Sequence, residues 1–420
     1  MNTHLHNNIK YLVWVLFLGV CGYAQTTNVG VIQVQPGTIF SSIGAFDNQA
    51  TGTFTNDGES YFFSHFNNDG VVTFTTTSTG ERLTRFEKHP TATAFAQQIK
   101  GSKTSYFYDV LYNNDNGLLP TYELHSEISV ANEADFNEGI VQDDIHGGLI
   151  IFEDEAVAIS VSDDSHVDGL VQKKGDDSFV YPVGDIKGGA GYYRFAAISA
   201  PDDVAHDFNA KYFFETPIDK TAEGHTPSDN KASEVQELDT NEFWTITREN
   251  GSGHVALTLS YDAATTLASV MATPQDMVVA YWDDANKEWI SLGGLVDETN
   301  QTVTTIADLS NYGIFTLARA KDIFTIYNGV SNNGDGLNDI LTIEGMPPGN
   351  NVKLFNRWGV KVYETDDYNT NGNVFRGYSN GRATIQSNEK LPTGTYFYVV
   401  SYPENGSRKT HSGYIYLTSD

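Results

Sequence analysis

The chain has 420 residues, which exceeds what one hydrophobic core usually organises, so two or more domains are expected. Its 54 acidic and 25 basic residues give a formal net charge of −29, which disfavours nucleic acid and other anionic partners. Its one cysteine is Cys21, so the chain beyond this residue has no thiol for a disulfide, a thiolate metal site or a cysteine nucleophile.

Residues 1–24 are typical of a signal peptide. Lys10 precedes the apolar run Tyr11–Val20, and small residues follow it up to Ala24. Ten apolar residues are too few to cross the roughly 30 Å hydrocarbon core of a bilayer, and no later stretch is long enough. We therefore predict export, cleavage after Ala24 and a mature chain without a membrane span.

Residues 25–201 show short strand-like runs separated by turns rich in Asn, Asp and Gly. The sequence FTNDG at Phe54 recurs as FNNDG at Phe66, a spacing of 12 residues. Asp-Gly after alternating residues indicates a hairpin. A solenoid whose coils turn at each Asn-Asp-Gly is the alternative. The pattern therefore favours a solenoid-like or sandwich β region.

The middle of the chain divides into two further predicted segments. Residues 202–240 are predicted to be a loop or linker, because the run from Thr216 loses its apolar period and gathers Lys, Asp, Ser and Pro. Residues 241–320 alternate cleanly and predict a small β-sandwich, in which DDAN at Asp283 joins the strands that carry Trp282 and Trp289. These tryptophans could stack on a sugar, but aromatic residues at alternating positions more often form the core. The chain as a whole is predicted to be all-β and multidomain.

Residues 321–420 alternate as strands and contain four sequence blocks in a fixed order. The blocks are NGDGLND (Asn333–Asp339), LFNRWG (Leu354–Gly359), VYE (Val362–Glu364) and LPTGTYFY (Leu391–Tyr398). Together they resemble the gliding motility-associated C-terminal domain, the type B sorting domain of the type IX secretion system. The segment departs from the family at Phe375-Arg376-Gly377, where Trp-Asp-Gly is common.

This resemblance implies a route and a location. The signal peptide would deliver the chain to the periplasm, and the type IX machinery would carry it across the outer membrane to the cell surface or the medium. The phrase DSFVYPVGD (Asp177–Asp185), with the later YWDDANKEWISLGG, resembles a surface-protein architecture often found before such domains. That architecture has no general assigned reaction.

The loop of the first block has two interpretations. Asn333, Asp335 and Asp339 place side-chain oxygens around Gly336, as a calcium loop does. Counted from Ser331, however, the first position lacks an acid and the twelfth is not Glu, which excludes a complete EF-hand. The same residue types cap tight turns without an ion. A turn within the sorting signal is the favoured interpretation, a calcium site is the alternative, and no other cofactor is predicted.

The residues predicted to act in recognition all belong to the sorting domain. They would either contact the secretion machinery or only fold the domain. They are Asn333, Gly334, Asp335, Gly336, Asn338, Asp339, Arg357, Trp358, Gly359 and Gly394.

No catalytic motif is recognised. The histidines beyond the signal peptide show no metal-ligand spacing, and GYSNG (Gly377–Gly381) lacks the strand and helix of a nucleophile elbow. A carboxylate pair for glycoside hydrolysis is defined by its spatial separation, which a sequence does not give. The sequence favours a non-enzymatic, adhesin-like or surface-layer protein that binds extracellular polysaccharide or surface proteins. An extracellular polysaccharide hydrolase and a structural filament subunit are the alternatives.

Overall fold

The computed structural model describes residues 25–320, 324–380, 390–404 and 407–419. The predicted signal peptide lies outside the described residues. Within them the fold is all-β, as predicted, with one 3-10 helix, η1 (Pro274–Asp276). No helix in this part of the chain has the length and apolar character needed to cross a membrane.

A β-solenoid of about six turns occupies residues 26–173. Its strands are β1 (Thr26–Asn28), β2 (Val31–Val34), β3 (Ile39–Ser42), β4 (Phe46–Asn48), β5 (Thr53–Asn56), β6 (Glu59–Phe62), β7 (Phe66–Asn68), β8 (Val71–Thr73), β9 (Leu83–Glu87), β10 (Gln97–Lys100), β11 (Ser105–Asn113), β12 (Tyr122–Leu124), β13 (Glu127–Glu138), β14 (Val141–Gln142), β15 (Leu149–Phe152), β16 (Val157–Ile159), β17 (Val167–Asp168) and β18 (Val171–Lys174).

These strands stack in three parallel ladders. The first ladder is β1-β4-β7-β10-β12-β14-β17. The second runs β2-β5-β8 and continues through the first halves of β11 and β13 to β15 and β18. The third runs β3-β6-β9 and continues through the second halves of β11 and β13 to β16. Each coil thus contributes one strand segment to each ladder.

The solenoid interior is filled by aromatic rings and a row of asparagines. Phe46 and Phe66 are stacked at 5.5 Å between ring centroids, and both are at most 1% exposed. Fully burying such a side chain stabilises the fold by about 1.5–3 kcal/mol. Asn28, Asn48 and Asn68 are buried at the ends of β1, β4 and β7, where each side chain bonds to that of the next coil. The first ladder therefore repeats along the chain with a period of 20 residues over these coils.

The hairpin interpretation of the Asp-Gly pairs is wrong. Asp57-Gly58 and Asp69-Gly70 turn the chain at solenoid corners, because the strands on either side of each pair bond in parallel to neighbouring coils. The spacing of 12 residues connects β5 to β7, which belong to different ladders. It is therefore not the length of a coil.

Two antiparallel sheets follow the solenoid. Their strands are β19 (Phe179–Val180), β20 (Val183–Lys187), β21 (Ala190–Tyr193), β22 (Ala196–Ile198), β23 (Asp207–Phe213), β24 (Val235–Leu238), β25 (Phe243–Asn250), β26 (Leu257–Ser260), β27 (Met277–Asp283), β28 (Glu288–Ser291), β29 (Leu295–Asp297), β30 (Thr302–Thr304) and β31 (Gly313–Ala320). One sheet has the order β23-β25-β31-β27-β28, with β24 also on β31, and the other has the order β19-β22-β26-β30-β29. β20 and β21 instead extend the first solenoid ladder.

The solenoid and these sheets share one hydrophobic core. β18, at the end of the solenoid, pairs antiparallel with β23, and buried residues form one cluster from Val34 to Leu317. Residues 202–240 contain β23 and β24 as well as the irregular segment 214–234. The domain boundaries at residues 201 and 240 stay a prediction.

The tryptophans of the predicted sandwich are core residues, as the alternation favours, and belong to a second buried cluster that includes Phe243 and Val278. Trp282 and Trp289 are 2% and 0% exposed, with their rings in edge contact at 5.6 Å. The irregular segment covers them, since Trp289 Nε1 donates to the Ser228 carbonyl oxygen at 2.9 Å. They are therefore not available as a sugar-stacking surface.

The C-terminal segment has a separate core and its own sheets. Its strands are β32 (Thr325–Ile326), β33 (Gly329–Asn332), β34 (Ile343–Glu344), β35 (Asn351–Phe355), β36 (Lys361–Asp366), β37 (Gly394–Glu404) and β38 (Ser407–Ser419). β32 and β34 form a small pair, and the main sheet has the order β33-β38-β37-β35-β36. Among the described strands of this main sheet, β33 and β38 run parallel and the other pairs run antiparallel.

Candidate functional site

Three loops of the C-terminal domain lie at one end of its main sheet. Asn332 at the end of β33 pairs with Ser419 at the end of β38, and Gly394 at the start of β37 pairs with Leu417. Phe355 at the end of β35 pairs with Lys361 at the start of β36. The loops at residues 333–339, 356–360 and 392–394 therefore share this end, which we call the loop end. All the predicted recognition residues lie on it.

The first loop is held together by the carboxylate of Asp339. One oxygen accepts the backbone N–H of Gly334 at 2.9 Å, and the other accepts that of Gly336 at 2.8 Å. Both glycines have φ values in the left-handed region, +73° and +86°, which glycine adopts without steric cost. Asn338 also lies there, with φ +57°, as asparagine tolerates. These positions explain the residue types of the block.

The other polar side chains of this loop are also engaged internally. Asn333 Oδ1 accepts the Asp335 N–H at 3.2 Å, and Asp335 Oδ1 accepts the Leu337 N–H at 2.8 Å. Asp335 Oδ2 accepts from the Asn333 side-chain amide at 2.9 Å. The bond from the Leu337 N–H, followed by that from the Asn333 side chain, lowers the pKa of Asp335.

The side-chain oxygens expected to bind calcium thus all accept hydrogen bonds within the loop. To bind an ion, each of these oxygens would have to keep its hydrogen bond and coordinate the ion as well. Otherwise the hydrogen bonds of the turn would have to break. The geometry supports the tight-turn interpretation, while calcium binding by Asn333, Asp335 and Asp339 stays a prediction.

The second loop presents an exposed tryptophan. Asn356 Oδ1 accepts the backbone N–H groups of Trp358 and Val360, both at 3.0 Å, and Gly359 has φ +73°. Trp358 is 71% exposed, and the guanidinium carbon of Arg357 lies 4.2 Å from its ring centroid. A cation–π contact at an exposed site contributes about 0.5–1 kcal/mol. The large apolar ring is therefore held in place without being buried.

The third loop completes a cleft with the second. Thr393 Oγ1 accepts the Ser419 N–H at 2.9 Å, which joins this turn to the end of β38. The cleft has a volume of about 590 Å³ and is lined on one side by Arg357 and Trp358 and on the other by residues 390–396, which include Gly394. The structure thus brings together three predicted recognition residues from two of the four blocks. The loop at 333–339 lies at the same end, next to β38.

A buried carboxylate pair was not predicted from the sequence. Glu242 accepts hydrogen bonds from Tyr212 at 2.7 Å and Thr266 at 2.5 Å, and Asp239 accepts the N–H groups of Asn241 and Leu267 at 2.8 and 3.0 Å. Burial raises the pKa of both acids, and the charge of Glu242 further raises that of Asp239. Both are 0% exposed and are bonded to the surrounding strands and loops. The pair is thus enclosed and hydrogen-bonded within the fold.

The outward face of the first solenoid ladder carries paired amides and carboxylates. Asn67 Nδ2 donates to Asp47 at 2.8 Å, and Gln98 Nε2 donates to Glu123 at 2.9 Å, in each case between neighbouring coils. Gln142 opposes Glu123 on the next coil. We call these five residues the outer polar row. Each alternates with an interior residue of its strand, but the five residues have no constant spacing along the chain, so no sequence period reveals the row.

At its C-terminal end the outer polar row contacts a buried carboxyl group. Gln142 Nε2 donates to Asp168 at 2.6 Å, and Asp168 is only 4% exposed. Burial raises the pKa of Asp168 to about 7, although the bond from Gln142 opposes the shift. The outer polar row therefore meets solvent on the earlier coils and is closed off at this end.

Comparison with known proteins identifies the C-terminal segment. Residues 324–417 match the CHU_C type IX secretion signal domain, which confirms the resemblance inferred from the four sequence blocks. This domain implies interaction with the type IX secretion machinery and export to the outer surface or the extracellular space. No curated protein and no solved structure matches the chain.

Proposed function

We propose that this type IX-secreted protein is a non-enzymatic, adhesin-like binder of a neutral, hydroxyl-rich polymer such as an extracellular polysaccharide. The solenoid body would bind the polymer, and the C-terminal domain would direct export. The observation that carries the proposal is the outer polar row on the first solenoid ladder.

The row offers hydrogen-bonding groups in two runs, Asp47-Asn67 and Gln98-Glu123-Gln142, and between them Lys100 rather than Gln98 lies opposite Asn67. Neighbouring strands of a ladder lie about 4.8 Å apart, so groups on successive coils can meet successive hydroxyls of a repeating chain. Asn67 and Gln98 are already held by the carboxylates of Asp47 and Glu123. Because immobilising a flexible side chain on binding costs about 0.5–1.5 kcal/mol, this order favours association.

Charge narrows the class of polymer. The formal net charge of −29 repels polyanions, and the row itself contributes Asp47 and Glu123. Carboxylates accept hydrogen bonds from sugar hydroxyls without needing a charged partner. A neutral polysaccharide therefore fits better than an acidic one.

Binding of labelled neutral polysaccharides to the secreted chain tests the proposal. We expect the double variant Gln98→Ala/Gln142→Ala to bind about tenfold more weakly, because losing about 1.4 kcal/mol of interaction lowers affinity tenfold. Gln33→Ala is the matched control, since Gln33 makes a similar bond to Asp57 on the second ladder. The proposal would be contradicted if the parent chain bound no neutral polysaccharide. It would also be contradicted if Gln33→Ala lowered the affinity as much as the double variant does.

We further propose that the loop end contacts the secretion machinery. Its support is the convergence of Arg357, Trp358 and Gly394 around one cleft, with the Asn333–Asp339 loop at the same end of the sheet. An exposed Trp next to Arg is a combination enriched at binding hot spots. The folding role of the same residues is the competing explanation.

A structural filament is the second candidate function, and the first coil favours it. β1, β2 and β3 each pair on one side only within the described part of the chain. This coil exposes four apolar side chains, Val29, Val31, Ile39 and Ile43, each more than half exposed. Unpaired edges of this kind can add strands from another chain. Concentration-dependent assembly that Val31→Lys abolishes would support the filament.

A further inference from the structure

Two histidines and a glutamate meet on the outside of the solenoid. Their ligand atoms, one each from Glu123, His125 and His146, all lie within 4.8 Å of one another. His125 Nε2 lies 3.4 Å from a Glu123 oxygen, and the two imidazole rings are 4.4 Å apart between centroids. The two histidines belong to different coils, so their positions in the sequence show no metal-ligand spacing.

The backbone of the solenoid determines the relative positions of these three side chains. β12 and β14 pair in parallel, with Glu123 opposite Gln142, so the corner after β12 lies beside the turn after β14. In that turn the His146 and Gly147 N–H groups both bond to the Asp143 carbonyl oxygen, at 3.0 and 2.8 Å. The three side chains therefore project from a rigid ladder and a closed turn.

A fourth residue orients the glutamate. Gln98, on the preceding coil, donates to Glu123 Oε2 at 2.9 Å. Partners of this kind fix the direction of a metal ligand and are typical of functional metal sites. The His125 and Glu123 side chains are 32% and 24% exposed, so an ion can reach them from solvent.

The donor set selects the class of ion. Two imidazoles and one carboxylate match the ligand set of zinc sites that keep a fourth position open, whereas calcium prefers oxygen ligands only. In a tetrahedral zinc site the ligand atoms lie about 3.4 Å apart, as follows from bonds of about 2.0–2.1 Å. The side chains are partly exposed and would have to rotate to close the present separation.

We propose that Glu123, His125 and His146 bind one Zn²⁺ ion on the outer face of the solenoid, with water in the remaining position. The ion would connect the coils of β12 and β14. This inference does not depend on polysaccharide binding, which can be measured in the presence of a chelator.

Zinc binding to the secreted full chain, purified without a histidine tag, tests the inference. Equilibrium dialysis against Zn²⁺ is expected to show one tightly bound ion per chain, and Zn²⁺ should raise Tm by a few degrees. Co²⁺ should give the visible absorption of a site with nitrogen ligands.

The variants separate a built site from nonspecific binding. His146→Gln and Glu123→Gln are each expected to lower Zn²⁺ affinity at least tenfold, and Gln98→Ala by about 10–100-fold. The control is His225→Gln, since His225 lies 3.2 Å from Asp284 in an exposed pair with no third ligand group in the described residues. It should bind Zn²⁺ as the parent does.

Two results would overturn the inference. One is a parent chain that retains no Zn²⁺ above the dialysis buffer. The other is equal affinity in the parent and in Glu123→Gln, which keeps the size of the side chain and decides the question if His146→Gln does not fold.

Discussion

Asn48 donates a hydrogen bond to the side-chain oxygen of Asn68 on the next solenoid coil, with 2.9 Å between the two atoms. Both side chains are fully buried. This contact is one of a row of such bonds, in which Asn28 donates to Asn48 and Asn68 donates to Ser105 Oγ at 3.0 Å. The row satisfies polar groups at one corner of the solenoid and sets the register of its first coils.

Loss of one member should destabilise the solenoid. Asn48→Ala leaves buried partners unsatisfied, and we expect the free energy of unfolding in urea to fall by about 1–3 kcal/mol. Asn132→Ala is the control, since Asn132 bonds to Asp109 in an exposed position. Its effect should stay within about 0.5 kcal/mol. Equal destabilisation by the two variants would argue against the buried row.

Burial of Asp168 predicts a dependence of stability on pH. Its pKa rises from 3.8 to about 7 on folding, so the folded chain holds a proton that the unfolded chain releases. The stabilisation is complete below about pH 4 and is lost as pH rises through about 7. Asp168→Asn should remove this part of the decline. The measurement is the difference in unfolding free energy between parent and variant from pH 4 to 8, and a constant difference would contradict the assignment.

The exposed indole of Trp358 predicts a secretion defect without a folding defect. Trp358→Ala should lower the unfolding free energy by no more than about 1 kcal/mol, because the side chain is mostly exposed and loses only its cation–π contact with Arg357. If the ring contacts the machinery, we expect the surface-exposed amount on intact cells to fall about tenfold. Tyr327→Ala is the control, since Tyr327 is 46% exposed and lies outside the loop end. Normal display of the Trp358 variant would support a role in folding only.

Thermal stability with and without Ca²⁺ distinguishes the two interpretations of the loop at residues 333–339. Because the oxygens of Asn333, Asp335 and Asp339 bond within the loop, removal of Ca²⁺ with a chelator should leave Tm unchanged. Asp339→Ala should destabilise the domain by about 1–2 kcal/mol, since it leaves two backbone N–H groups without their partner. A Tm that falls on chelation in the parent but not in this variant would instead indicate a calcium site.

A variant at Asp335 also distinguishes contact with the secretion machinery from a role in folding the domain. Asp335→Ala removes the bond to the Leu337 N–H on an exposed loop, and we expect the circular dichroism spectrum to be retained. Under the contact hypothesis, secretion of this folded variant falls. Secretion at the level of the parent would rule out a contact role for Asp335.

The sequence predicted those parts of the fold that depend on local alternation of residues or on the order of motifs along the chain. Alternation identified the strands around Trp282 and Trp289, and the four ordered blocks identified the sorting domain. The FTNDG repeat was misleading, since its spacing of 12 residues crosses ladders, whereas Asn28, Asn48 and Asn68 repeat at the coil period of 20. The meeting of His125 with His146 depends on the pairing of β12 with β14. Parallel pairing between irregular coils leaves no local motif in the sequence.

The central claim is that residues 321–420 direct this chain out of the cell. Protease accessibility on intact cells tests it, with an epitope tag after Ala24 and the full chain compared with one that lacks these residues. We expect the full chain to be released or degraded at the surface, and the truncated chain to stay protected in the periplasm. Surface exposure of both chains, or of neither, would contradict the claim.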